Sequence, residues 1–192
     1  FYMNYFKRNF STIIFLLSYF TLIISFFLNE DGTGRGASGD FEVTYGFILA
    51  LQENLLADPK DWTLVHTPLH FIILSLIEPI FSNPYYLRLF YCLISIILPY
   101  LLFKIINNYS FKDSEKNYAL IISSIIFFLP AFRYSAIWAN DLITSLIFFL
   151  FSIIFFKKWE INKNKYLNIN IFMQVIFLAL ATYTRQYFAV FF

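Results

Sequence analysis

The chain reads as an all-α, polytopic transmembrane protein, and three observations predict that class. Hydrophobic residues make up 59% of its 192 residues and charged residues only 14%, too few to solvate a globular surface of this size. Apolar runs near or above the roughly 18 residues needed to cross a hydrocarbon core recur along it. Those runs are continuous and do not alternate, which excludes a transmembrane β-barrel pattern. The net charge of +2 is small and the lysines are scattered through short loops, so nothing points to nucleic acid. Cys92 is the single cysteine and lies in an apolar run, where it reads as a small buried hydrophobe.

Taken in order, five spans are expected. Lys7 and Arg8 precede the first, about Phe10 to Leu28, which is too long for a signal-peptide core and reads as an uncleaved helix. Residues 29 to 68 then form a first extracytoplasmic loop. Four of the five glycines sit between Gly32 and Gly39, and the loop holds seven of the twelve acidic residues. Within it, Phe41 to Leu56 has the apolar spacing of an amphipathic interfacial helix, with Gln52 out of place on the apolar face. Leu69 to Phe81 is apolar but short and is interrupted by Glu78, so it reads as a juxtamembrane or re-entrant helix. The further spans are Tyr86 to Ile106, Tyr118 to Ala131, Leu142 to Phe156 and Ile169 to Phe192. If Leu69–Phe81 does not cross, nine of the fourteen Lys/Arg residues fall on the cytoplasmic side. The positive-inside bias favours that topology. The chain opens on Phe1 and closes inside an apolar run, which reads as the N-terminal part of a longer transmembrane domain, cut at both ends.

This topology brings Asp40, His66, Arg88, Arg133, Asp141 and Arg185 to the extracytoplasmic face from separate stretches of chain. Ionisable groups converging at one depth are the expected layout of a site. Asp40 follows a glycine-rich turn and precedes a helix, where a carboxylate caps the free N–H groups or serves as a general base. Asp141, where the chain re-enters the membrane, is an N-cap or first-turn acid with Arg133 near enough in sequence to balance it. Arg88 and Arg185 lie in or beside apolar helices. They snorkel to headgroups or capture a lipid-linked phosphate. His66 and His70 are four apart, a zinc-compatible spacing, but Pro68 intervenes and no third ligand accompanies them. No metal site or cofactor is therefore expected, and nothing indicates a divalent ion. The segment GTGRGASGD lacks the GK[ST] ending of a phosphate loop and reads as a flexible turn.

The order of these elements resembles the N-terminal part of a GT-C glycosyltransferase, the integral-membrane superfamily that uses polyprenyl-phosphate sugars. An acid follows the first span in GDFEVTYGFILA, and a His/Pro-Leu element opens a short helix in HTPLHFIILS. An Arg-led span follows, LRLFYCLISIILPYLLFKI, and then a Pro-ended span with a second acid, FFLPAFRYSAIWANDLITSLIFFLFSIIFFKKW. A basic residue stands late in the last helix, ATYTRQYFAVFF. The layout is similar to the aminoarabinose-transferase and protein O-mannosyltransferase-like branch. Two segments also resemble the dolichyl-phosphate-glucose glucosyltransferase branch. The resemblance implies Asp40 and Asp141 as catalytic acids and His66, Arg88 and Arg185 as basic positions; Arg133, by its own charge, is read as balancing Asp141 or binding an anionic phosphate. Many members carry Asp-Glu adjacent, whereas Phe41 separates Asp40 from Glu42 here, and Val65 and Thr67 depart from the pattern beside His66. Glu42 and Tyr45 are accordingly substrate-binding candidates on the same helix. The implied partners are a polyprenyl-phosphate sugar, membrane lipid and a lipid, glycan or protein acceptor, with an inverting single displacement on the extracytoplasmic side. A transporter or flippase, or a lipid-linked glycan polymerase or ligase, is the competing expectation. A transporter predicts inverted repeats and ionisable groups at the bilayer midplane, and neither is visible in this sequence.

Overall fold

The structure, a computed structural model, describes residues 2–30, 36–53, 67–110, 116–161 and 168–192. Among the described residues there is no strand. The helices are α1 (Tyr2–Phe27), α2 (Ala37–Glu53), α3 (Leu69–Phe81), α4 (Pro84–Ile94), α5 (Ile97–Ser110), α6 (Lys116–Ser124), α7 (Pro130–Ile137), α8 (Asp141–Ile161) and α9 (Ile169–Thr184). Short 3₁₀ turns, Ile125–Phe128 and Gln186–Phe191, follow α6 and α9. Three stretches are long and apolar enough to cross a membrane: Asn9–Phe27, Pro84–Asn107 and Asp141–Ile161. A fourth is reached if the bent pair Asn117–Phe128 and Pro130–Ile137 counts as one span.

Prolines set the breaks. Pro99 has no N–H for the Ser95 carbonyl four residues back. That carbonyl accepts from the Leu98 amide at 3.1 Å, and the helix tightens between α4 and α5. Pro130 pushes Leu129 into extended backbone (φ −73°, ψ 123°), and the chain bends by 68° there. The expected fifth span, Ile169–Phe192, is not one helix. α9 stops at Thr184, because Arg185 turns extended (φ −144°) to reach Asp141. Sixteen residues rise about 24 Å, less than the roughly 30 Å of a bilayer core.

α3 occupies the residues expected of the short helix. Its Pro79 leaves the Ser75 carbonyl without its helical donor, and Gln52 of α2 supplies one through Nε2 at 3.0 Å. The same amide nitrogen donates to Glu78 Oε2 at 2.8 Å, and the Tyr45 hydroxyl donates to Oε1 at 2.7 Å. Gln52, anomalous on an apolar face, is thus the group that satisfies buried polar atoms of α3. Cys92 is buried and free.

The direction of each leg follows from its contacts. Ser11 in the first half of α1 bonds Asn117 at the start of α6, while Ser25 in its last turn and Glu30 just past it meet Arg133 of α7. α4 runs the opposite way, its Tyr85 ring 5.3 Å from Phe26 and its Leu93 carbonyl accepting from Tyr19. α8 and α9 form the most extensive helix pair. The Phe177 ring lies against Phe148, Phe151 and Phe155, and the pair runs antiparallel, since Asp141 at the start of α8 bonds Arg185 just past α9. The apolar core is centred on Phe26, Ile48, Leu87, Phe127 and Ile137.

Candidate functional site

The ends that carry Glu30, Asp40, Arg88, Arg133, Asp141 and Arg185 lie together at one end of the bundle. Two side-chain clusters occupy it, joined by α7.

The first surrounds a pocket of about 550 Å³ lined by Leu28 and Asn29 after α1, by Phe41, Glu42 and Tyr45 of α2, by Tyr85 and Arg88 of α4, and by Trp138. Arg88 is only 8% exposed. Its guanidinium carbon sits 3.5 Å from the Trp138 ring centroid, with the Phe26 and Phe41 rings at 5.3 and 5.4 Å. Nε donates to the Ile137 carbonyl at 3.0 Å, while Nη2 is buried with no hydrogen-bond partner among the described residues. A buried cation with an unmet donor, held by aromatic faces, is arranged to receive an anion. Glu42 lies on the exposed rim. Tyr45 turns its ring to the pocket and its hydroxyl to Glu78. Burial, then the Glu78 hydrogen bond and charge, push that phenol up to about 12, so it stays a donor.

The second cluster is the Asp141–Arg185 ion pair at 2.5 Å, with side chains 3% and 14% exposed. Arg185 also donates to Asn140 Oδ1 at 3.0 Å and to the Tyr187 hydroxyl at 2.8 Å. Burial works against the Arg185 charge, but the hydrogen bond and charge of Asp141 outweigh it and hold the guanidinium above its ordinary value. Asn140 caps α8 by accepting from the Leu142 amide at 3.1 Å, so Asp141 is a first-turn acid and not the cap.

Two expected assignments change. Arg133 does not balance Asp141. It pairs with Glu30, donating through Nε at 2.8 Å and Nη2 at 2.5 Å, and also reaches Ser25 and the Phe127 carbonyl. Those bonds hold the Glu30 carboxyl below the usual carboxylate range, with burial opposing them. Asp40 does not cap its helix: α2 starts at Ala37, and the Asp40 amide already bonds the Gly36 carbonyl at 3.1 Å. Its carboxylate is exposed and accepts from the Tyr134 hydroxyl at 2.6 Å. Tyr134 also lies within electrostatic range of Asp141 and Arg185, so both acids act on one phenol. His66 lies outside the described residues.

Sequence reasoning did not assign Glu30, Tyr134 or the His70 network. His70 is fully buried. Its Nε2 donates to the Ala139 carbonyl at 2.8 Å, and its Nδ1 lies 3.0 Å from Thr144 Oγ1. Tyr91 joins Thr144 and the Asn140 carbonyl. Ala139 takes a left-handed conformation (φ 50°), a local strain that a non-glycine residue tolerates only where its surroundings hold it. Here the turn aims its carbonyl at His70 and starts α8. Only the HTPLH motif marked this histidine, and only as one of a pair. Among the described residues no group of three or more His, Cys, Asp or Glu side chains is arranged to hold a metal ion.

Burial is the main cause that lowers the His70 pKa, to about 4 from 6.5. The folded protein then binds fewer protons here than the unfolded chain between those values. Stability therefore falls as pH drops from 6.5 towards 4, by on the order of 2–3 kcal/mol. Thermal unfolding in detergent at pH 7 and pH 5 checks this; a His70→Gln variant should show a flatter pH dependence. An equal slope in both proteins overturns it.

Comparison with protein-family models, with curated proteins and with solved structures found no match to this chain. The fold and its charged end define a helical protein with three to four stretches suited to crossing a membrane.

Proposed function

We propose that this chain is part of a GT-C-type glycosyltransferase that moves a sugar from a polyprenyl-phosphate donor to a lipid, glycan or protein acceptor. The observation that carries the reading is Arg88, which lines a pocket of about 550 Å³, stacks on Trp138 and has a buried Nη2 with no hydrogen-bond partner among the described residues. A lipid-linked phosphate supplies the oxygens that donor lacks, and its chain suits an aromatic and apolar wall at a membrane surface. Asp40, exposed and oriented by Tyr134, deprotonates the acceptor hydroxyl. The new bond forms at the anomeric carbon as the bond to the phosphate oxygen breaks, and the departing phosphate keeps the electron pair. Arg88 stabilises that charge. One in-line attack inverts the anomeric centre. Asp141 and Arg185, locked together, hold the α8 and α9 ends that frame the acceptor side. The positive-inside bias of the sequence supports an extracytoplasmic position for this end.

The test is transfer from a defined panel of polyprenyl-phosphate sugars by the full-length protein in liposomes. Arg88→Met should raise the donor KM about 10–100-fold, and Arg88→Lys should restore little, because an ammonium cannot stack and present a planar fork. Absence of transfer from every donor, or an unchanged KM in Arg88→Met, refutes the reading.

A further inference from the structure

One wall of the Arg88 pocket is carried by α2, through Phe41, Glu42 and Tyr45. Ala37, Phe41, Ile48 and Leu51 bury its apolar side. Its polar attachment to α3 is concentrated at Gln52 and Tyr45, two turns apart on one face. Both reach Glu78, which is 6% exposed. The second reach of Gln52, to the Ser75 carbonyl, exists because Pro79 cannot donate to it. α3 thus presents a carbonyl and a carboxyl that its own helix leaves unmet, and α2 meets both with one amide. The Tyr45 hydroxyl takes the remaining carboxyl oxygen, while its ring faces the pocket beside Phe41, with centroids 6.0 Å apart.

We propose that Gln52, together with Glu78 and Pro79, is the positioning unit of the pocket: it sets where Phe41, Glu42 and Tyr45 stand against Arg88, and so sets affinity for the anionic amphiphile without touching it. The ligand class rests on the glycosyltransferase reading; the clamp does not. Gln52 is a positioning residue in the sense that its effect passes through α2. Leaving a buried carbonyl and a buried carboxyl oxygen unmet disfavours the docked helix, and the pocket loses one wall when α2 lifts. Pro79 makes the unit separable. Pro79→Ala returns an N–H to the Ser75 carbonyl, so one of the two duties of Gln52 disappears.

The experiment uses the full-length protein in nanodiscs with two readouts: hydrogen exchange of the α2 amides, and binding of farnesyl phosphate as probe. Gln52→Ala should speed α2 exchange about tenfold and weaken farnesyl phosphate at least about fivefold. In a Pro79→Ala background the same substitution should cost clearly less on both readouts. Unchanged α2 exchange in Gln52→Ala overturns the clamp. So does an equal effect with and without Pro79. Faster exchange with unchanged farnesyl phosphate affinity overturns the link from clamp to pocket. If the unmodified protein binds no farnesyl phosphate while exchange and its Pro79 coupling behave as stated, the clamp stands and the lipid-phosphate reading falls.

Discussion

Asp40→Asn is expected to lower sugar transfer by about 10²–10⁴-fold while leaving membrane insertion and thermal stability unchanged. The carboxylate is exposed, and its one hydrogen bond among the described residues, from the Tyr134 hydroxyl, goes to an oxygen that asparagine can supply. Shape and partner survive the change, and the ability to accept a proton does not. Loss of transfer in this variant therefore reports chemistry. Tyr134→Phe is the companion measurement. It keeps the base but frees its orientation, so a smaller loss is expected. Near-normal turnover in Asp40→Asn, assayed with the best donor of the panel, removes the residue from the reaction.

The second large effect is on stability. Arg185→Ala should destabilise the folded chain by about 2–4 kcal/mol, because it removes a cation bonded to a carboxyl that is 3% exposed. The neutral pair Asp141→Asn with Arg185→Gln should recover much of that loss, since two uncharged groups bear little desolvation cost. Unfolding in detergent, read as a midpoint shift for the single and double variants, decides this. If Arg185→Ala unfolds like the parent, the pair is an ornament of the surface and does not hold α8 to α9. The 3₁₀ turn after Arg185 should loosen with the single variant, because the Tyr187 hydroxyl and Asn140 lose the same guanidinium.

These two acids show how differently equivalent sequence signals resolve. Both Asp40 and Asp141 stand at helix starts, and local rules describe both as caps. In three dimensions one is solvent-facing on a phenol, while the other is sealed on an arginine from 44 residues away. Arg133 was nearest to Asp141 in sequence, yet its partner is Glu30, 103 residues distant. Charge pairing at a bundle end depends on which helix ends abut, and sequence distance carries no information about that. Gln52 is the instructive exception. Its misplaced polarity was visible in the helical pattern, although its purpose was not: the partners are a carboxyl and a carbonyl 26 and 23 residues on, the latter exposed by a proline.

The helical class, the three long apolar stretches and the short α3 were legible from composition and run length. Apolar content and helical rise act locally and need no partner to be read. The end of α9 at Thr184, the bend before Pro130 and the way the charged residues divide between a pocket and a locked ion pair came only with the tertiary arrangement. A buried charge is tolerated where another group meets it. Which group does so is settled when distant helix ends come into contact.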